Sequence, residues 1–264
     1  VRCVDLGLEF LAANRHADGW LLQIETFDPH EPFTAPARFR ADYPTNYGGP
    51  ILDWPRYREV IENPDEIAEL RANYAALVAL CDAQLGRLMD DLDAHGTWDD
   101  TAVILTTDHG FLLGEHDWWG KNRMPFYDEI ARIPLMVWHP AFAAEGGARR
   151  KALTQAVDVM PTLLDLFAIE PPPEVRGRSL LPLLDADRRH RDVALYGVFG
   201  GAVNVTDGRH TYFRYPADMT GEGLFEYTLM PVHMHDFFQP AEFEGARLVA
   251  PFDFTRGLPM LRLP

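Results

Sequence analysis

Apolar and polar positions follow two different periods along this chain, and the changes of period mark its elements. Trp20-Leu21-Leu22-Gln23-Ile24-Glu25-Thr26-Phe27 is a short apolar run of the kind that forms a buried strand. Asp28-Pro29-His30-Glu31-Pro32 stops it, because two prolines cannot continue a ladder. The first residues, from Val1, lie close to the same strand pattern. Residues 31–62 are rich in Pro, Gly and Tyr without a period, which predicts a long ordered loop over a sheet. Asn63-Pro64-Asp65-Glu66 is a helix start: Asn63 can cap, Pro64 suits the first helical position, and acidic residues favour the first turn. Apolar residues then recur at spacings of three and four from Ile67 through Leu70, Tyr74, Leu77, Val78 and Cys81 to Leu92, one face of a long helix that Gly96 is placed to end. Thr101 to Thr107 is the clearest strand. Strand, long helix and strand predict a βαβ crossover in a parallel sheet.

Pro134 to Trp138 reads as a further short strand, and Asp158 to Phe167 as a helix with Pro161 in its first turn. Pro171-Pro172-Pro173 is a rigid connector. After about residue 192 the pattern becomes short strands, at Val193–Val198, Ala202–Thr206 and His210–Tyr215, with Asp207-Gly208 as a hairpin signal. The expected organisation is an α/β body over residues 1–191 and a small antiparallel subdomain with an irregular tail over residues 192–264. From Gly221 onward the chain is irregular and aromatic.

Composition narrows the function. At 264 residues and 47% hydrophobic, the chain can bury a large core without staples. Two cysteines, Cys3 and Cys81, exclude a disulfide framework or a cysteine-rich zinc site. Cys81 lies on the apolar helix face and reads as an inert buried thiol. No run of about 18 apolar residues offers a membrane span. A net charge of -16 argues against a nucleic-acid partner, and an anion site must be built locally from a metal ion and a few cationic side chains. The chain opens on Val1 with no signal peptide in view, which leaves its compartment undetermined.

Ligands bind just beyond the carboxyl ends of parallel strands, where Asp108-His109-Gly110 follows Thr107. Asp supplies a hard oxygen and His an imidazole nitrogen, a pair suited to a divalent cation, although such a pair also caps ordinary turns. Lys121 comes thirteen residues after Asp108, in the Trp- and Gly-flanked run Gly114-Glu115-His116-Asp117-Trp118-Trp119-Gly120-Lys121. Its ammonium can neutralise a sulfate or phosphate oxygen, or simply be solvated; lysine is scarce in this chain. His30 follows the first strand and can bind the anion or protonate a leaving oxygen. His116 is a further candidate beside the substrate. Trp118 and Trp119 read as packing residues, and His233-Met234-His235 as either a strand face or a partly buried loop.

These blocks in this order resemble the sulfatase family of the alkaline-phosphatase superfamily, over roughly residues 10–215. "TAVILTTDHGFLLGEHDWWGKNRMPFYDEIARIPLMVWHP" is similar to the family's second metal-ligand block with its lysine, "FDPHEPF" to its histidine block, and "DVMPTLLDLFAIEPPPEVRGRSLLPLL" to its later helix and turn. The resemblance implies an alkaline-phosphatase-like α/β fold, a mixed, mostly parallel sheet between helices with a small C-terminal antiparallel sheet. It implies that Asp108 and His109 hold one divalent ion, calcium by family habit, with Mn, Mg or Zn as alternatives. It implies that Lys121 binds a non-bridging sulfate oxygen and that His30 contacts the ester oxygen.

The family's Cys/Ser-x-Pro-x-Arg motif, whose first residue becomes the formylglycine nucleophile, is not matched here: Cys3 precedes Val4-Asp5-Leu6 and Cys81 precedes Asp82-Ala83-Gln84. The chain thus resembles the later part of the family, and alone it is expected to be inactive and prone to self-association. The expected partner is a small-molecule sulfate ester. A phosphonate monoester hydrolase or phosphodiesterase of the same superfamily is the alternative enzyme, and a non-catalytic binding or structural protein the alternative class.

Overall fold

The computed structural model describes residues 1–122, 125–198, 200–218, 224–233 and 235–264; Gly221 and Met234, on which two expectations touch, lie outside the described residues. The chain divides into two compact units, Val1–Arg149 and Arg150–Pro264.

The first unit opens with a helix, α1 (Arg2–Ala13), over residues to which the sequence pattern assigned no element of their own. The helix buries Val4 and Gly7, and a Cβ on Gly7 would stand 2.4 Å from Ile24 Cδ1. The missing side chain therefore admits the segment 20–27 against the helix, where Trp20 also meets Phe10 edge-on at 5.8 Å. That segment keeps a strand's alternation, with Trp20, Leu22 and Ile24 half-buried and Leu21, Gln23 and Glu25 exposed, yet it forms no ladder among the described residues. The expected parallel pairing of this segment with residues 101–107 is not formed, because no described strand runs beside it.

The loop of residues 31–62 contains one short helix, α2 (Ala37–Arg40), pinned to the next helix by Arg40 bonds of 2.6 Å to Asn73 and Glu69. That next helix, α3 (Pro64–His95), starts and stops where its caps dictate. Asn63 accepts from the Asp65 and Glu66 amides while Glu66 reaches back to the Asn63 amide, and Gly96 closes the helix at φ 64°. Leu70, Leu77, Leu80 and Leu92 are buried along it. Phe33 packs on Leu77 and Leu80 to make a core that includes Tyr74 and Phe111. Val78 is exposed and Cys81 only half-buried, so the inner face is slightly rotated from the expected stripe. Burial pushes the Cys81 thiol up from its ordinary value, which keeps it protonated and unreactive.

β1 (Val103–Thr106) leads into the candidate site. A hairpin of β2 (Leu112–Leu113) and β3 (Trp119–Gly120) follows, then α4 (Asp128–Ala131) and β4 (Leu135–Trp138). β4 returns antiparallel beside β1, pairing Val103 with Trp138 and Thr106 with Leu135.

In the second unit, α5 (Val159–Leu166) and α6 (Leu181–Asp185) precede β5 (Ala194–Gly197), β6 (Val203–Thr206) and β7 (Thr211–Arg214). These strands form the antiparallel sheet expected from their alternation, in the order β5-β6-β7. The segment without a sequence reading yields a second three-stranded sheet from β8 (Glu226–Thr228), β9 (Arg247–Val249) and β10 (Met260–Leu263), ordered β8-β10-β9. His233 lies on a loop, not on a strand face, and its Nε2 is 2.6 Å from Glu242. No helix among the described residues is long and apolar enough to cross a membrane.

Candidate active site

Two clusters in the first unit hold the candidate residues. The first is held by a glycine. Gly120 has φ +109°, and a Cβ there would stand 2.8 Å from Tyr57 Cγ, so the Tyr57 ring lies against the backbone just before Lys121. The Tyr57 hydroxyl donates to Glu31 Oε1. Glu31 is 2% exposed, and Lys121 Nζ stands 3.9 Å from the same oxygen. Burial, reinforced by the Glu31 hydrogen bond and charge, pushes the Tyr57 phenol well above its ordinary value, so it stays a donor.

Lys121 Nζ also lies 2.5 Å from His30 Nε2. The other nitrogen of that ring, Nδ1, is 2.8 Å from the Glu31 carbonyl oxygen. A carbonyl only accepts, so Nδ1 carries the proton and Nε2 presents its lone pair to the lysine. Phe27 covers one side of the imidazole, with ring centroids 4.3 Å apart. Two residues ninety-one positions apart thus form one contact, over a buried carboxylate.

The second cluster sits where β1 ends. The Asp108 Oδ1 accepts from the His109 amide at 2.8 Å and from Thr107 Oγ1 at 3.3 Å. Desolvation works to raise the Asp108 carboxyl, but the His109 amide and ring outweigh it and hold the group below its ordinary value. His109 Nδ1 is 3.0 Å from the Gly110 carbonyl oxygen, so that nitrogen donates, and in the neutral ring Nε2 carries the lone pair. Nε2 stands 3.3 Å from Asp108 Oδ2: in the charged ring it donates to the carboxylate and lowers its pKa, and in the neutral ring it presents a lone pair beside it. In the neutral form the two lone-pair donors suit a shared cation, and an Nδ1–H tied to a carbonyl is how metal-binding histidines are oriented. The donor chemistry therefore fits a divalent ion. Among the described residues no third His, Cys, Asp or Glu joins the pair.

Gly110 fixes this corner. Its amide donates to the Ile130 carbonyl at 2.8 Å, and a Cβ would collide with the Glu129 carbonyl oxygen at 1.7 Å. His116 stacks on Tyr127 at 3.6 Å and lies 3.2 Å from both Glu129 carboxylate oxygens. It is thus engaged with the segment behind Gly110, whereas His30 meets Lys121. Trp119 is fully buried and donates to Glu62 at 2.8 Å, a packing role as expected. Phe111 links the clusters, meeting the Tyr57 ring at 5.7 Å.

Glu31 and Tyr57 were not singled out by the sequence. The one available signal was a carboxylate between His30 and Pro32 in an apolar context. In the second unit Asp158 was read only as a helix start, but it is a fully buried hub. It accepts from the Gln155 amide at 2.8 Å, the Arg178 amide at 2.9 Å and the Arg191 guanidinium, with His190 Nε2 at 3.3 Å.

The fold is alkaline-phosphatase-like. The crystal structure of a phosphonate monoester hydrolase from Agrobacterium radiobacter superposes with a TM-score of 0.66 at 22% identity, over 81% of this chain and 52% of that one. Residues 2–169 match the sulfatase family, and residues 114–244 match the C-terminal region of N-sulphoglucosamine sulphohydrolase. The chain belongs to the sulfatase family. It is 31% identical over 183 residues to an N-acetylglucosamine-6-O-sulfatase of Bacteroides thetaiotaomicron, covering 65% of this chain and 32% of that protein. A choline-sulfatase of Rhizobium meliloti is 28% identical over 239 residues, covering 81% of this chain and 45% of that protein. The chain thus spans less than half the length of these curated relatives.

Proposed function

We propose that the intact protein hydrolyses sulfate esters, with this chain supplying the anion-binding and leaving-group side of the site. The observation that carries the reading is the Lys121–His30 contact of 2.5 Å, set over the buried Glu31. Lys121 binds a non-bridging sulfate oxygen as a charge-assisted donor. His30, aligned by its Nδ1–H bond to the Glu31 carbonyl, meets the ester oxygen through Nε2. Lys121 gives the proton that it shares with Nε2 to the imidazole, which passes it to the departing oxygen, so that the alcohol leaves neutral and Lys121 is left as the free amine.

Asp108 and His109 would hold the divalent ion, calcium in this reading, which supplies charge neutralisation at the sulfate when bound. The chain's own part there is to keep the Asp108 carboxyl ionised and the His109 Nε2 free of a proton. In this reading the nucleophile, a formylglycine, is supplied by residues outside these 264.

A Lys–His pair recognises a tetrahedral anion whether sulfur or phosphorus stands at its centre. With the fold shared with a phosphonate monoester hydrolase, that supports phosphonate or phosphate ester hydrolysis as the second reading. Rates of the intact protein on an aryl sulfate and an aryl phosphonate monoester separate the two, sulfate being the faster on the first reading. Lys121→Ala is expected to lower aryl sulfate kcat/KM by about 100-fold or more. Full activity in that variant would overturn the site.

A further inference from the structure

A cleft of about 540 Å³ opens beside His30, lined by His30, Glu31, Trp54, Pro55, Arg56 and Tyr57. Its accessible chemistry differs from that of the ester site. Trp54 is 58% exposed, although large aromatic side chains ordinarily bury themselves, and Arg56 is exposed as well. Among the described residues, neither the Arg56 guanidinium nor the Trp54 indole N–H has a hydrogen-bond partner. The nearby Asp53 carboxylate is engaged by Thr34 at 3.0 Å. Glu31 also lines the cleft, but it is buried, bonded by Tyr57 and faced by Lys121, so it offers a ligand little negative charge.

We propose that this cleft is a subsite for a sugar ring carrying a second anionic group, with Trp54 as the stacking surface and Arg56 as the anion contact. The proposal rests on the ester-site reading, because it is the neighbourhood of His30 that makes the cleft the place for the organic part of an ester. An open wall with an apolar plane and a planar fork of donors suits a flat-faced, hydroxylated ring bearing a sulfate or carboxylate. It disfavours a quaternary ammonium ester, whose cation would meet Arg56. In a chain of net charge -16, a locally placed guanidinium is the means of attracting a second anion.

The test is a ligand-observed NMR titration of the intact protein, its nucleophile substituted so that no probe is hydrolysed, in calcium buffer with four probes: inorganic sulfate, N-acetylglucosamine 6-sulfate, N-sulfoglucosamine 6-sulfate and choline sulfate. The two sugars differ in the charge at one nitrogen. The doubly anionic sugar is expected to bind about tenfold more tightly than the singly anionic one. Arg56→Gln is expected to erase that preference. Trp54→Ala is expected to weaken both sugars about fivefold and leave inorganic sulfate unchanged. Both side chains are exposed, so neither variant threatens folding. The subsite is overturned if Arg56→Gln keeps the preference, if the wild type shows none, or if choline sulfate binds more tightly than the doubly anionic sugar. Lys121→Ala separates the two levels. If it abolishes binding of inorganic sulfate while the sugar preference is absent, only the subsite falls. If it binds sulfate as the wild type does, the ester site falls and the subsite with it.

Discussion

His30 Nε2 accepts a hydrogen bond from Lys121 Nζ at 2.5 Å, and the opposite nitrogen of the same ring donates to the Glu31 carbonyl at 2.8 Å. The imidazole is therefore held from both ends, in one tautomer and one plane, before any substrate arrives. Such preorganisation is what lets a charge-handling group act without reorganising during the reaction. It also makes the tautomer observable. Nitrogen-15 correlation spectra are expected to show His30 with its proton on Nδ1. A proton on Nε2 in the neutral ring would contradict the geometry and remove the lysine contact from the proposed mechanism.

Asp108 and His109 lend themselves to a separate measurement. Either Asp108→Ala or His109→Ala is expected to lower calcium affinity at least about tenfold in calorimetric titration of the intact protein. Gly110→Ala is expected to do the same without touching a donor atom, because its Cβ meets the Glu129 carbonyl oxygen at 1.7 Å and the corner must move. Unchanged calcium binding in Gly110→Ala would show that the corner does not orient the pair.

The buried Asp158 predicts a pH dependence for the second unit. Desolvation works to raise its carboxyl, yet the Arg178 and Gln155 amides and the Arg191 guanidinium outweigh that and hold it below the ordinary 3.8. A carboxyl depressed in the folded state stabilises the fold fully above its unfolded value and loses that contribution as pH falls through the folded one. Urea midpoints are thus expected to be flat above about pH 5 and to decline below about pH 4. Asp158→Asn is expected to cost roughly 3–5 kcal/mol at neutral pH, since Arg191 is left buried without its counter-charge. A pH-independent midpoint in that variant, against a declining wild type, assigns the acid loss to this carboxylate; identical declines would assign it elsewhere.

The caps of α3 give a simpler check. Asn63→Ala removes the acceptor for two amides and is expected to cost about 1 kcal/mol. Gly96→Ala places a side chain at φ 64° and is expected to cost about 1–2 kcal/mol. Thermal denaturation reads both, and neither is expected to alter sulfate binding.

Legibility followed the range of the interactions. The ends of α3 are written in Asn63, Pro64 and Gly96, which act on their own neighbours, so the sequence located them closely. β5 to β7 were legible for the same reason, with Asp207-Gly208 closing the turn between neighbouring strands. Pairing between distant strands was not. Trp20–Phe27 has a strand's composition and alternation but no adjacent described strand to bond with, while β1 found its partner in β4 through an intervening hairpin. The site divides similarly. Asp108-His109 and Lys121 stand in contiguous motifs, which makes them candidates from the sequence alone. Tyr57 is not one, because it lies in a loop without a period and acts on Glu31 across twenty-six positions. Asp158 looked like a helix start because its partners lie as far away as Arg178 and Arg191.

The scarcity of lysine has a practical side. The chain contains only Lys121 and Lys151, one in each unit, and Arg supplies the remaining basic side chains. Lys121 is 11% exposed beneath His30, whereas Lys151 is exposed. An amine-directed label therefore meets one open side chain and one shielded one in the same molecule. Lys151 serves as an internal standard, and the labelling of Lys121 relative to it becomes a direct gauge of whether an anion occupies the site.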